Sequence, residues 1–109
     1  MEVDSAGRLY VADQENSRVL QFTSPYATNM QASKVFGQAD FTNGQCNKGS
    51  QVGPATLCGP YTVGTDGSGN FYVADTSNNR VLQYTPPLAT NMQASKVIGQ
   101  TDFISREAN

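Results

Sequence analysis

The polar residues with the clearest chemical pattern form one spacing that occurs twice in the sequence. Each occurrence consists of an Asp, an Asn three positions later and an Arg two positions after that. An arginine fork can pair with a carboxylate, and Asp and Asn side chains cap nearby backbone N–H groups. The spacing therefore predicts a turn held by side-chain hydrogen bonds, with a repeated surface site as the alternative. The residues concerned are Asp13, Asn16, Arg18, Asp75, Asn78 and Arg80.

The sequence offers little that would support catalysis. It contains no histidine, which removes the commonest general base and metal ligand and leaves no Ser–His–Asp or Cys–His combination. Four aspartates could be considered as calcium ligands, but they follow no calcium-loop pattern, and capping of turns is the simpler role. These aspartates are Asp4, Asp40, Asp66 and Asp102. We therefore expect no catalytic residue, no cofactor and no bound metal.

The chain has two cysteines, Cys46 and Cys58. A disulfide between them would close a loop of about 13 residues and stabilise the fold by roughly 3 kcal/mol. A zinc site is disfavoured because two thiolates without histidine supply too few ligands. We predict the disulfide and, with it, an extracellular or cell-envelope location; free thiols in a cytosolic protein are the alternative.

Composition and charge argue against two classes of partner. The chain has 109 residues, of which 15% are charged, and a net charge of -2. Its seven basic residues are scattered singly, which does not favour a surface that neutralises nucleic-acid phosphates. No apolar run approaches the roughly 18 residues of a membrane span, and acidic residues stand near the start, where a signal peptide would be basic. We expect neither nucleic acid nor a membrane as partner.

The two polar patterns belong to a long internal repeat. Residues 3–42 align with residues 65–104 at a constant offset of 62, and 26 of the 40 aligned positions are identical. Residues 27–35 recur unchanged as residues 89–97, which is consistent with a shared partner surface or with recent duplication. A repeat of this length is one supersecondary unit, and such a unit does not usually bury its apolar face alone.

Alternating apolar residues predict short antiparallel strands within each repeat, separated by polar turns and by prolines. The predicted strands are 8–12, 18–23 and 33–37 in the first repeat, and 59–65, 70–74, 80–85 and 95–99 in the second. The first repeat keeps only residues 1–3 of its leading strand. The sequence therefore predicts an all-β chain with two four-stranded antiparallel units. These occupy residues 1–42 and 59–104, with a cysteine-bearing loop at 43–58 and a tail at 105–109.

Residues 69–84 read Gly-x-Phe-Tyr-Val-Ala-Asp-x-x-Asn-x-Arg-Val-Leu-x-Tyr and resemble the NHL repeat; residues 7–22 fit the same pattern. Gly59 and Pro60 resemble the usual Gly-Pro lead-in to such a repeat. The NHL fold is a β-propeller, usually of six blades, each a four-stranded antiparallel sheet. The resemblance implies that the two units are blades and that the Asp, Asn and Arg positions mark the blade turn. Tyr10 and Tyr72 occupy the same place in each repeat and could stack a ligand, but we expect them at contacts between blades, where aromatic strand residues are more common.

Two blades are fewer than a closed propeller requires, and their faces and edges would be open to water. We therefore expect self-association into a head-to-tail ring, with a trimer of six blades favoured over a dimer of four. The alternative is an excised part of a longer propeller. The expected function is non-catalytic binding or scaffolding of a protein or glycan. The alternatives are a fragment of a larger propeller enzyme of lyase or hydrolase type, with its catalytic residues elsewhere, and nucleic-acid binding.

Overall fold

The computed structural model describes residues 2–100 and 102–104. Within these residues the chain forms two four-stranded antiparallel sheets, each in chain order, and no α-helix, so the prediction of an all-β chain is confirmed. Sheet 1 contains β1 (Glu2–Val3), β2 (Arg8–Asp13), β3 (Arg18–Thr23) and β4 (Lys34–Phe36), and sheet 2 contains β5 (Pro60–Thr65), β6 (Phe71–Asp75), β7 (Arg80–Tyr84) and β8 (Lys96–Ile98). The described residues form no closed ring. The predicted tail, 105–109, lies outside them.

The strand ends differ from the sequence prediction by one residue at several places. β4 is shorter than the predicted 33–37, and β5 begins at Pro60. Gly37 and Gly59 were predicted as strand ends but lie just outside β4 and β5, and their φ angles are +91° and +59°. Such angles lie outside extended geometry and are readily adopted by glycine, so the chain leaves the strand there. β1 pairs with β2 through Glu2 and Val3.

Carboxylates cap the hairpin turns that open each repeat. The Asp4 Oδ1 atom accepts hydrogen bonds from the N–H groups of Ala6 at 3.0 Å and Arg8 at 2.9 Å. Burial by itself would raise the pKa of Asp4, but the hydrogen bonds and charge of Arg8 outweigh it and lower that pKa. Asp66 has the same role in the second repeat, where it accepts from the N–H groups of Ser68 and Asn70. Both aspartates therefore lie in the capping positions that the sequence predicted.

Each sheet has two faces, because successive side chains of a strand point to opposite sides. In sheet 1, Tyr10, Val19, Gln21 and Phe36 define the Tyr10 face, and Leu9, Val11, Leu20 and Phe22 define the Leu9 face. In sheet 2, Phe71, Val73, Leu82 and Tyr84 define the Phe71 face, and Tyr72, Ala74, Val81, Gln83 and Ile98 define the Tyr72 face.

The core lies where the Tyr10 face of sheet 1 packs against the Phe71 face of sheet 2. The Phe71 ring stacks on Tyr10 with centroids 4.5 Å apart and on Tyr84 with centroids 4.7 Å apart. Phe36 meets Phe71 edge-on at 4.8 Å. All four rings are fully buried. Aromatic pairs of this kind stabilise a fold beyond the burial of their area, by about 0.5–1.5 kcal/mol each.

No helix in the described part of the chain has the length and apolar character needed to cross a membrane.

We expect Tyr84→Phe to raise the free energy of unfolding by about 1 kcal/mol, because a buried hydroxyl without a partner carries an uncompensated desolvation cost. Among the described residues, none lies within hydrogen-bond reach of the Tyr84 hydroxyl, and burial raises the pKa of this phenol. Phe22 occupies the aligned position of the first repeat. Chemical denaturation monitored by circular dichroism would measure the change.

Tyr72→Phe is the matched control. The Tyr72 hydroxyl donates to Asp66 at 3.0 Å and accepts from the Gln83 side-chain amide at 3.0 Å. Its removal should lower the free energy of unfolding by about 1 kcal/mol. Equal losses in both variants would contradict the assignment of Tyr84 as an unpaired hydroxyl.

Candidate interaction surface

The second Asp–Asn–Arg turn is a buried and fully connected polar cluster. The Arg80 Nε atom donates to Asp75 Oδ2 at 2.7 Å, and the Asn78 side-chain amide donates to the same oxygen at 2.8 Å. The Asp75 and Arg80 side chains are both 0% exposed. A buried ion pair is stable only when its remaining hydrogen-bonding groups also find partners, so the environment of this turn must supply them.

The cysteine loop, residues 43–58, supplies most of those partners, and the Phe103 carbonyl accepts from the Arg80 Nη1 atom at 2.8 Å. The Arg80 Nη2 atom donates to the Gly53 carbonyl at 2.8 Å and to the Thr56 carbonyl at 2.9 Å. The remaining Asp75 oxygen accepts from the Cys58 N–H at 2.7 Å. Because these partners come from outside sheet 2, the loop connects the two sheets through the buried ion pair.

A reciprocal amide pair joins the same loop to the turn. The Asn47 amide donates to the Asn78 side-chain oxygen at 3.1 Å, and the Asn78 amide donates to the Asn47 side-chain oxygen at 2.8 Å. Both asparagines are buried. The loop backbone takes part as well, since the Cys58 carbonyl accepts from the Ser77 N–H at 3.1 Å.

A disulfide closes the cysteine loop, as predicted. The Cys46 and Cys58 sulfurs are bonded at 2.01 Å, and the chain has no further cysteine. The adjacent Leu57 is fully buried and packs over Gly37. A Cβ atom at Gly37 would lie 2.6 Å from the Leu57 side chain, so this position requires glycine for close approach as well as for its positive φ.

The first Asp–Asn–Arg turn has the same internal bonds but a different environment. The Arg18 Nε atom donates to Asp13 Oδ2 at 2.7 Å, and the Asn16 amide donates to both Asp13 oxygens. Asn16 is exposed, and Asp13 and Arg18 are only partly buried. The prediction from the sequence did not distinguish the two turns. Gly44 of the cysteine loop lies close to Asn16, but the hydrogen bonds of the loop to an Asp–Asn–Arg turn go to the second turn, and they make the two turns different.

The Leu9 face and the Tyr72 face are the two sheet faces that the core does not use. The contrast at aligned positions is large, because Phe36 is 0% exposed whereas Ile98, its counterpart on the Tyr72 face, is 53% exposed. The Leu9 face borders a groove of about 430 Å³. The groove is lined by Arg18, Leu20, Phe22, Met30, Gln31, Ala32 and Phe41. Each open face is thus a candidate surface for another sheet.

The polar network on the open Tyr72 face repeats the network buried on the Tyr10 face. In sheet 1 the Gln21 amide donates to the Tyr10 hydroxyl at 3.2 Å, which donates to Asp4 at 3.3 Å. In sheet 2, Gln83, Tyr72 and Asp66 make the same chain of bonds. The open face therefore already has the hydrogen bonds that its counterpart has beneath a packed sheet.

Comparison with protein-family models finds no model that matches the chain, and comparison with curated proteins finds no significant match.

We expect Asn78→Ala to lower the free energy of unfolding by about 1–3 kcal/mol, because it leaves the buried Asn47 amide without its partner. The matched variant Asn16→Ala, at the aligned exposed position, should change it by at most about 0.5 kcal/mol. Urea denaturation would measure both. In a double-mutant cycle, Asn47→Ala and Asn78→Ala should be non-additive, since they remove one shared contact. Additive losses would show that the amide pair does not couple the loop to the turn.

We expect reduction of the disulfide to lower the free energy of unfolding by about 2–4 kcal/mol, because it releases the closed loop in the unfolded chain. The Cys46→Ser/Cys58→Ser double variant should reproduce the loss and should not respond to reductant. Thiol titration in denaturant without reductant checks the starting state. Two free thiols in that titration would contradict the disulfide.

Proposed function

We propose that this chain is a non-catalytic NHL-type β-propeller module that associates with copies of itself into a closed ring and presents its loops to a protein or glycan partner. The four-stranded antiparallel sheets in chain order support the assignment of the two repeats as propeller blades. The disulfide is compatible with an extracellular or cell-envelope location.

One observation carries the proposal: the two sheets pack through opposite faces of the repeat. Tyr10 aligns with Tyr72, yet Tyr10 packs against Phe71, which aligns with Leu9. A two-fold pairing would bring aligned faces together. Packing of opposite faces is instead head-to-tail, and the operation that relates sheet 1 to sheet 2 can be applied again.

The open faces have the composition that a further step of this packing needs. On the Leu9 face, Leu9, Val11, Leu20 and Phe22 align with the buried Phe71, Val73, Leu82 and Tyr84. On the Tyr72 face, Tyr72, Val81 and Gln83 are identical to the buried Tyr10, Val19 and Gln21. The Tyr72 face of one copy therefore matches the Leu9 face of the next.

The number of blades in the closed ring determines how many copies of the chain it contains. A head-to-tail contact forms a ring when its rotation closes and a filament when it does not. Six blades, the usual NHL number, require three copies of this two-sheet chain, and four blades require two. Since each added sheet buries an open face, the ring leaves no unpaired face and limits aggregation through exposed edges.

We expect light scattering coupled to size exclusion, and native mass spectrometry, to give a mass three times the 11.7 kDa of one chain. The physical reason is burial of both open faces at every junction. A mass twice that of the chain would replace the six-blade ring by a four-blade one. A chain that stays monomeric at all concentrations would overturn self-assembly, and a ladder of masses without an upper limit would overturn closure.

A further inference from the structure

One loop of sheet 2 makes the edge contact between the two sheets. The Asn91 N–H donates to the Val35 carbonyl at 2.9 Å, and the Val35 N–H donates to the Thr90 Oγ1 atom at 3.3 Å. Val35 lies in β4, the last strand of sheet 1. The loop therefore provides partners for the Val35 N–H and carbonyl groups at the edge of that sheet. An edge covered in this way is no longer a template for non-specific pairing.

Both sides of this contact come from the same nine-residue repeat segment. Thr90 and Asn91 lie at the start of residues 89–97, and Val35 lies at the end of residues 27–35. The contact thus joins the end of one copy of the segment to the start of the other. The first copy also has a loop half, Thr28 and Asn29, and the second copy has a strand half, Val97, that this contact does not use.

The unused loop half, in sheet 1, has the same conformation as the loop half in use. Asn29 and Asn91 have φ angles of +61° and +62°. The Met30 N–H donates to the Ala27 carbonyl at 3.3 Å, and the aligned bond in the second loop measures 3.2 Å. Thr28 and Asn29 are exposed. The first loop is therefore preformed to receive a strand edge.

The unused strand half, in β8, has the register of β4. Val97 pairs with Leu82 as Val35 pairs with Leu20. Val35 is fully buried, whereas Val97 is only partly buried. The Val97 side chain packs against the core from the Phe71 face. The shared register means that the edge of β8 presents the same backbone groups as the edge of β4.

We propose that a second copy of this chain occupies each half, with the Val97 N–H of one copy donating to Thr28 Oγ1 of the next and the Val97 carbonyl accepting from the Asn29 N–H. This inference rests on the proposed self-assembly and names the contact that sets its register. The residues of the proposed contact, Thr28, Asn29 and Val97, are identical to Thr90, Asn91 and Val35 of the contact inside the chain. Each end of the segment therefore donates one hydrogen bond and accepts one, in the contact inside the chain and in the proposed contact between copies.

Thr28→Val and Thr90→Val form the matched pair that tests the contact. Valine keeps the shape of threonine and removes the acceptor oxygen. Thr28→Val should raise the dissociation constant between copies about fivefold per interface, the effect of one neutral hydrogen bond, and leave thermal unfolding of the dissociated chain unchanged. Thr90→Val breaks the aligned contact inside the chain and should lower the unfolding temperature of the dissociated chain. Mass measured over a dilution series gives the first readout, and calorimetry of the dilute chain gives the second.

A second variant removes the donor. Val97→Pro deletes the outward N–H, and proline is tolerated on an edge strand. Combined with Thr28→Val it should weaken assembly no more than either change alone, because both remove the same bond. If the wild-type chain assembles and both variants assemble with the same dissociation constant, the inferred contact is wrong, while the proposed ring is not contradicted. A monomeric wild-type chain would overturn both.

Discussion

The stacking of Phe71 between Tyr10 and Tyr84 is the contact on which the arrangement of the chain depends. The three rings lie at centroid distances of 4.5 and 4.7 Å, in the range preferred by offset-stacked aromatic pairs. Since they come from opposite faces of the repeat, their burial fixes the direction of packing as well as its distance. A two-fold arrangement that brought Tyr10 against Tyr72 would leave the most aromatic face of sheet 2 in water.

The polar contacts around this core depend on the sheets already being in place. Arg80 can be buried because its guanidinium reaches Asp75 and two carbonyls of the cysteine loop. Its counterpart Arg18 pairs with Asp13 in the same way but stays partly exposed. The difference shows that local sequence builds the ion pair, and that tertiary packing decides whether water is excluded from it.

Much of the fold could be predicted from the repeat. Alternation of apolar residues indicated the strands, and the aspartates before the hairpins indicated the caps. The cysteine pair indicated the disulfide but left free thiols open. Sequence could not tell which of the identical tyrosines, Tyr10 or Tyr72, is buried, because only contact with the other sheet distinguishes them. It also missed Asn47 as a partner of Asn78, since Asn47 lies in a loop outside the aligned repeats and its partner is distant along the chain.

The cysteine loop has a mechanical consequence for any assembly of these chains. Within a chain, the junction between sheets is reinforced by the polypeptide connection, the disulfide-closed loop and the buried ion pair. In the proposed junction between chains, face packing and edge hydrogen bonds would hold the sheets together. Stiff and compliant junctions would therefore alternate around the ring, so thermal opening and subunit exchange would occur at every second junction. In the proposed ring, the two sheets that each cysteine loop holds together would therefore leave and return as a unit.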